Sequence, residues 1–202
     1  MNYLAFDTSG FYLTVAVNGN KKIIKKIDEC TKSHSVLLMN EIENALNEAN
    51  TDLKDIDVFA CSIGAGSFTG IRIGVATAKA FAYALSKKVL GVTTFESLAY
   101  DILGNENKLT VIDARHDNFY VCGFNKDNEV ILKPCFLTKE EVLSLSDFEI
   151  VSDTEIDGIN VKKADIAQGF VKAVEAKLGC ASSDVETLIP LYVKKSQAEE
   201  GL

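Results

Sequence analysis

The chain has 202 residues, 47% hydrophobic and 25% charged, with 21 Lys and Arg against 29 Asp and Glu for a formal net charge of −8. That much apolar material buries a core in one domain or two small lobes and excludes a disordered chain. The acidic balance works against the chain alone gripping a phosphate backbone, because that contact draws its affinity from counterions displaced by Lys and Arg; nucleic acid would be reached through a basic partner.

Residues 3–7 form a short apolar strand that ends in Asp7. Residues 11–17 alternate as a half-buried antiparallel strand does, and Asn18-Gly19 turns the chain into a third strand at 23–27. From 35 to 50 the period becomes helical, with Leu38, Ile42, Ala45, Leu46 and Ala49 on one stripe and Ser33 available as a cap. A buried strand at 58–63 leads into Gly64-Ala65-Gly66-Ser67-Phe68-Thr69-Gly70, and residues 71–87 return to helix. A strand at 89–92 and a helix from 94 to 103 follow.

After the polar stretch 104–107 the strand pattern restarts at 109–113, 119–124 and 130–137. It repeats the first half: Asp113 ends its strand as Asp7 does, and Phe119-Tyr120 opens the next as Phe11-Tyr12 does. A short helix from 138, a strand at 149–151 and an amphipathic helix over 164–178 complete the second copy. The expected fold is α/β and two-lobed, a duplicated three-stranded meander with α/β units, one lobe over residues 1–103 and a shorter one over 104–202.

The glycine loop carries the strongest local signal. Its glycines imply a turn where another backbone comes close, yet Thr69 stands where the dinucleotide fingerprint needs a glycine, and no Lys-Ser/Thr pair follows as in a P-loop. Ser67 is not in a nucleophile elbow, since Gly66 precedes it directly. Asp7-Thr8-Ser9-Gly10 has the shape by which actin-like ATPases and sugar kinases hold metal and phosphate, but these are also ordinary turn residues. Residues 104–202 contain no paired glycines for an adenosine site. His34 and His116 lie in unrelated contexts, so no metal site is expected. The five cysteines are scattered and read as free thiols in a reducing cytosol, and neither a leader nor a membrane span is expected.

Along the helix at 71–87, Gly74, Ala78 and Ala82 form one small-residue ridge and Ala76, Ala80 and Ala84 another. Such ridges interdigitate in close helix packing, so one can face the sheet while the other is free to meet another helix, unless both are internal, packed on the sheet and on the first helix. Val36 and Met39 lie off the main stripe of the first helix and add apolar surface.

The segments Leu4-Ala5-Phe6-Asp7-Thr8-Ser9, Gly64 to Gly74, Ile112-Asp113-Ala114-Arg115 with Tyr120, and Pro190-Leu191-Tyr192-Val193-Lys194 together resemble the TsaB family of bacterial tRNA threonylcarbamoyladenosine biosynthesis proteins. That family belongs to the glycoprotease-like group of the actin-like (ribonuclease H-like) superfamily. Ala65 departs from the family's usual proline, Asn118 from an acid and Lys194 from an arginine. The resemblance implies a non-catalytic scaffold that supports a TsaD-like catalytic subunit, which modifies the adenosine beside the tRNA anticodon. It implies a TsaE-like ATPase in the same assembly, a homodimer when the chain is alone, tRNA met only through the complex, and no cofactor or metal of the chain's own. Val36, Met39, Gly74, Ala78 and Ala82 are the expected partner-facing residues, and Gly64, Gly66, Ser67, Phe68, Thr69, Gly70 and Arg72 the family's loop. The competing expectation is a small-molecule kinase or ATPase of the same fold that uses Asp7 with the glycine loop.

Overall fold

The computed structural model describes residues 1–28 and 34–194. Ser33, the expected cap of the first helix, and Cys30 lie outside the described residues. The first half builds β1 (Tyr3–Asp7), β2 (Tyr12–Asn18), β3 (Lys22–Asp28), α1 (His34–Ala49), β4 (Val58–Gly64), α2 (Phe68–Leu85), β5 (Lys88–Thr93) and α3 (Thr94–Asp101). The second builds β6 (Lys108–Asp113), β7 (Asn118–Phe124), β8 (Val130–Thr138), α4 (Lys139–Ser144), β9 (Glu149–Ser152), β10 (Lys162–Lys163) and α5 (Ile166–Lys177).

The two sheets have one topology. The first runs β3-β2-β1-β4-β5 and the second β8-β7-β6-β9-β10. In each, the opening strand lies at the centre, antiparallel to the second strand and parallel to the fourth. The duplicated meander read from the sequence is therefore real, and the architecture is the two-lobed, actin-like α/β fold.

Strand β1 shows why this arrangement needs helices on both faces. Every residue in it is buried, and successive side chains point to opposite sides. Leu4 and Phe6 join Leu38 and Ile42 of α1 and Ile71, Val75 and Ala78 of α2. Tyr3 and Ala5 meet Phe170, Val171 and Val174 of α5 on the other side. The second sheet packs Leu109, Val111, Phe119 and Val121 under Val142 of α4. Its other face presents Cys122 and Phe124 to Phe95 and Ala99 of α3. Burial raises the thiol pKa of Cys122 to about 12, so it acts as a small apolar filler.

Helices α3 and α5 join the lobes. A capping box between Thr93 and Glu96 starts α3, and Lys177 of α5 lies 2.7 Å from the Glu96 carboxylate. Lys172 bridges Asp101 at 2.7 Å. Lys108 at the start of β6 is buried, and its ammonium donates to the Ala99 and Ile102 carbonyls at the end of α3 and to Asn128 in the β7–β8 turn. A cation on the last carbonyls satisfies groups the helix leaves unpaired.

Residues 182–191 form a strap that returns to the first lobe. Ser182 exchanges backbone hydrogen bonds with Val89 of β5 at 2.8 and 2.9 Å, Leu188 enters the first core, and Leu191 N–H donates to the Ile63 carbonyl at 2.7 Å. The break at 103/104 falls between the sheets, but α5 and this strap pack on the sheet of the first half.

The tightest point of the helix pair is Gly169, where a Cβ would stand 1.8 Å from the Ser97 carbonyl oxygen. Gly169→Ala is therefore expected to force α3 and α5 apart and to lower stability by about 1–3 kcal/mol, measured as a reduced urea midpoint.

Candidate functional site

The glycine loop answers a steric demand made by the turn after β1. Ser67 caps α2, its hydroxyl accepting from Gly70 N–H at 3.2 Å, so the helix begins three residues earlier than its apolar pattern suggests. The first turn of α2 then lies directly on the β1–β2 turn. A Cβ at Gly70 would stand 1.9 Å from the Thr8 carbonyl oxygen and one at Gly66 2.3 Å from that of Ser9. Ser67 N–H donates to the same Ser9 carbonyl at 2.7 Å, and the Thr8 hydroxyl donates to the Gly70 carbonyl at 2.7 Å.

This contact buries the start of the turn, while Gly10 and Phe11 stay exposed. Asp7, Thr8 and Ser9 are at most 3% exposed. One Asp7 carboxylate oxygen accepts from Ser9 N–H at 2.7 Å and from the Ser9 hydroxyl at 2.6 Å. The Ser9 hydroxyl oxygen lies 3.0 Å from that of Ser62 and 3.1 Å from that of Thr94, whose own hydroxyl donates to the Ala65 carbonyl at 2.6 Å. His34, at the start of α1, closes the cluster with Nδ1 3.1 Å from the Thr8 carbonyl oxygen. The shape read as a metal and phosphate turn is thus the floor of an interior hydroxyl network. Burial raises the Asp7 pKa, and the bonds from Ser9 only partly offset it.

The open space lies above this floor. A cleft of about 540 Å³ separates the lobes, with Ser9, Gly66, Ser67 and Thr94 on one wall and Asp113, Arg115, Tyr120 and Asp153 on the other. Asp7 does not line it. Asp113, its counterpart in the duplication, stands at the cleft and accepts from Arg115 N–H at 2.7 Å. Arg115, His116 and Asp117 all adopt positive φ, and Asn118 steadies that turn by donating to the His116 carbonyl at 2.7 Å. Among the described residues no cluster of His, Cys, Asp or Glu is arranged to hold a metal ion, and no helix is long and apolar enough to cross a membrane.

The structure divides the expected partner-facing residues. Gly74, Ala78 and Ala82 face inward: Ala78 and Ala82 are 0% and 1% exposed, and a Cβ on Gly74 would stand 2.7 Å from the Thr8 hydroxyl. Their ridge brings α2 close to β4, so these three cannot meet a partner. The exposed ridge is Ala76, Ala80 and Ala84, with Tyr83 beside it at 80% exposure. Val36 and Met39 on α1 are more than half exposed, as expected. Between the helices a groove of about 350 Å³ is lined by Met39, Ile42, Leu46, Leu53 and Phe81. Tyr83 was missed although it lies one turn beyond Ala80 on the helix; the alanine spacing drew attention to the ridge and away from its neighbour.

At the top of the loop, Ser67, Phe68, Thr69 and Arg72 are exposed, while Gly64 is buried. The Arg72 guanidinium stacks 3.8 Å above Phe68, and its Nε–H donates to the Tyr192 hydroxyl at 3.0 Å. Lys194, just beyond the strap, sits 5.0 Å above Phe136.

A sealed carboxyl with a raised pKa has a defined effect on stability. As pH rises past the ordinary carboxylate range, Asp7 loses its proton first in the unfolded chain, so the folded state loses ground until its own carboxyl ionises. In Asp7→Asn the amide keeps an oxygen for both Ser9 donors. The variant is expected to melt at or above the wild type at pH 7, with the difference shrinking toward pH 4, as thermal melts across that range would record.

A family model described as "TsaD: tRNA N6-adenosine threonylcarbamoyltransferase" matches residues 23–162. The tRNA threonylcarbamoyladenosine biosynthesis protein TsaB of Escherichia coli (strain K12) is 29% identical over 146 residues, 66% of this chain and 63% of that protein. TsaB of Bacillus subtilis (strain 168) is 32% identical over 122 residues, 59% of this chain and 53% of that protein. The aligned stretches thus span less than two thirds of these relatives' lengths. The solved structure of YeaZ from Pseudomonas aeruginosa superposes with a TM-score of 0.76 at 23% identity, covering 95% of this chain and 99% of that one, and shares its fold. With the family model matched over well more than half of its residues, the chain belongs to the tRNA N6-adenosine threonylcarbamoyltransferase family, and the Escherichia coli and Bacillus subtilis relatives are named TsaB.

Proposed function

We propose that this chain is a non-catalytic subunit in the formation of threonylcarbamoyladenosine in tRNA, in the cytoplasm, and that it supports a TsaD-like catalytic subunit. The observation that carries this reading is the burial of Asp7, Thr8 and Ser9 at the start of the β1–β2 turn. An actin-like kinase needs that turn open to metal and phosphate, whereas here Gly66 and Gly70 let α2 close over its first residues and Asp7 points into a hydroxyl network. The names of the relatives supply the pathway.

The supporting surface is the outer side of α1 and α2. Val36, Met39 and Tyr83 expose large apolar side chains beside a ridge of three alanines and an apolar groove. Small residues let a partner helix approach closely, and large ones at the margin fill the partner's hollows. The same surface pairs two copies of the chain when the catalytic subunit is absent. A TsaE-like ATPase joins the assembly, and the chain enters it as two lobes, 1–103 and 104–202, tied together by α5 and the strap on the first sheet.

Two measurements test this. Met39→Arg and Tyr83→Glu are expected to leave the melting temperature unchanged and to weaken the complex with the TsaD-like subunit by about 2 kcal/mol each, roughly thirtyfold; co-elution at wild-type affinity would remove the interface. Ala78→Arg, by contrast, is expected to unfold the chain, since it buries an unpaired charge against the sheet. Calorimetry of the isolated chain with ATP and magnesium is expected to give no heat of binding, and micromolar affinity would restore the kinase reading.

A further inference from the structure

The two arginines of this acidic chain, Arg72 and Arg115, stand beside a group of aromatic rings. Neither takes part in an ion pair among the described residues. Arg72 lies over Phe68 and donates through Nε to Tyr192, so the guanidinium is held at Nε and its Nη groups take no part in that bond. Phe68 and Tyr192 remain 43% and 42% exposed, with ring centres 5.2 Å apart.

The group continues across the lobes. A hollow of about 180 Å³ brings Phe68, Tyr192 and Lys194 together with Tyr120 of the second lobe. Tyr120 lies 5.8 Å from Phe136, the ring beneath Lys194. It also lines the interlobe cleft together with Arg115 and Ser67. Three cations and four rings thus gather in and beside two hollows that share Tyr120, in a protein whose net charge is −8. Asp113 and Asp153 line the same wall of the cleft as Arg115 and Tyr120.

We propose that this strip binds a single-stranded stretch of RNA, with phosphates held by Arg72, Arg115 and Lys194 and bases stacked on Phe68 and Tyr192. A guanidinium fork suits phosphate oxygens. Aromatic faces stack any base and so tolerate sequence. An acidic protein segment would use the cations but gain little from the rings, which is why RNA is the better occupant. The inference rests on the reading that the chain serves tRNA modification, and it makes the chain a direct contributor to RNA binding inside the complex. The strip is separate from the helix interface: Arg72 lies at the first turns of α2 and Tyr83 at its last.

The test uses the full chain bound to its catalytic partner and a labelled RNA hairpin carrying a tRNA anticodon loop. Arg72→Ala and Tyr192→Ala are each expected to weaken RNA binding roughly tenfold, and Arg72→Ala to reduce the slope of log affinity against log salt by about one, with partner co-elution unchanged. Wild-type RNA affinity and salt slope in both variants would overturn the proposal. So would loss of the partner with RNA binding intact, which would make the strip a protein contact. Ultraviolet crosslinking of the unmodified chain to the same RNA needs no variant: adducts on peptides containing Phe68 or Tyr192 support the strip, and adducts exclusively elsewhere refute it. Should no complex form, the proposed function falls, and the crosslink on the chain alone still decides the strip.

Discussion

The close approach of α2 to the turn after β1 governs the rest of the molecule. Two positions without a Cβ, Gly66 and Gly70, let a helix start against the Thr8 and Ser9 carbonyls, and the hydroxyls of Thr8, Ser9, Ser62 and Thr94 satisfy the polar groups this buries. Unsatisfied, each of those groups would destabilise the fold by about 1–3 kcal/mol. Once the helix is seated there, its inward ridge is fixed as Gly74, Ala78 and Ala82. Everything on the other side of the helix becomes available surface. The carboxyl that a nucleotide-binding relative would turn toward a metal is turned inward by the same contact.

A second constraint joins the halves. Helices α3 and α5 cross where Gly169 meets Ser97, and charged pairs at Glu96 and Asp101 set their orientation. Lys108 adds a buried cation that binds the end of α3 and the β7–β8 turn at once. Taking that ammonium out of water lowers its pKa, and three oxygen acceptors make the burial tolerable. The cleft between the lobes therefore has walls held by covalently distant parts of the chain.

Much of this was legible in the sequence, for local reasons. The helical stripe from Leu38 to Ala49 records which side of α1 is buried, whereas the alternation at Tyr12 to Val17, read as a half-buried strand, belongs to a strand buried on both faces. The paired Asp7 and Asp113 disclosed the duplication that the common strand order bears out. The direction of the α2 ridges was not legible. Small residues recur every four positions on both sides of that helix, and periodicity cannot tell the sheet from a partner. The glycines announced a close approach without naming Thr8 and Ser9 as what approaches. The stacking of Arg72 with Tyr192 joins residues far apart in the chain, so only the folded strap reveals it. The strap itself has almost no regular structure, and its pairing with Val89 leaves no periodic trace.

That strap bears on how the molecule is made. The first sheet is left with an open β5 edge, and the core it shares with α1 and α2 without Leu188, until residues 182–191 arrive. During synthesis from the ribosome, the half that emerges first is thus the last to be finished. The nascent chain holds an incomplete hydrophobic layer in waiting while the second sheet assembles.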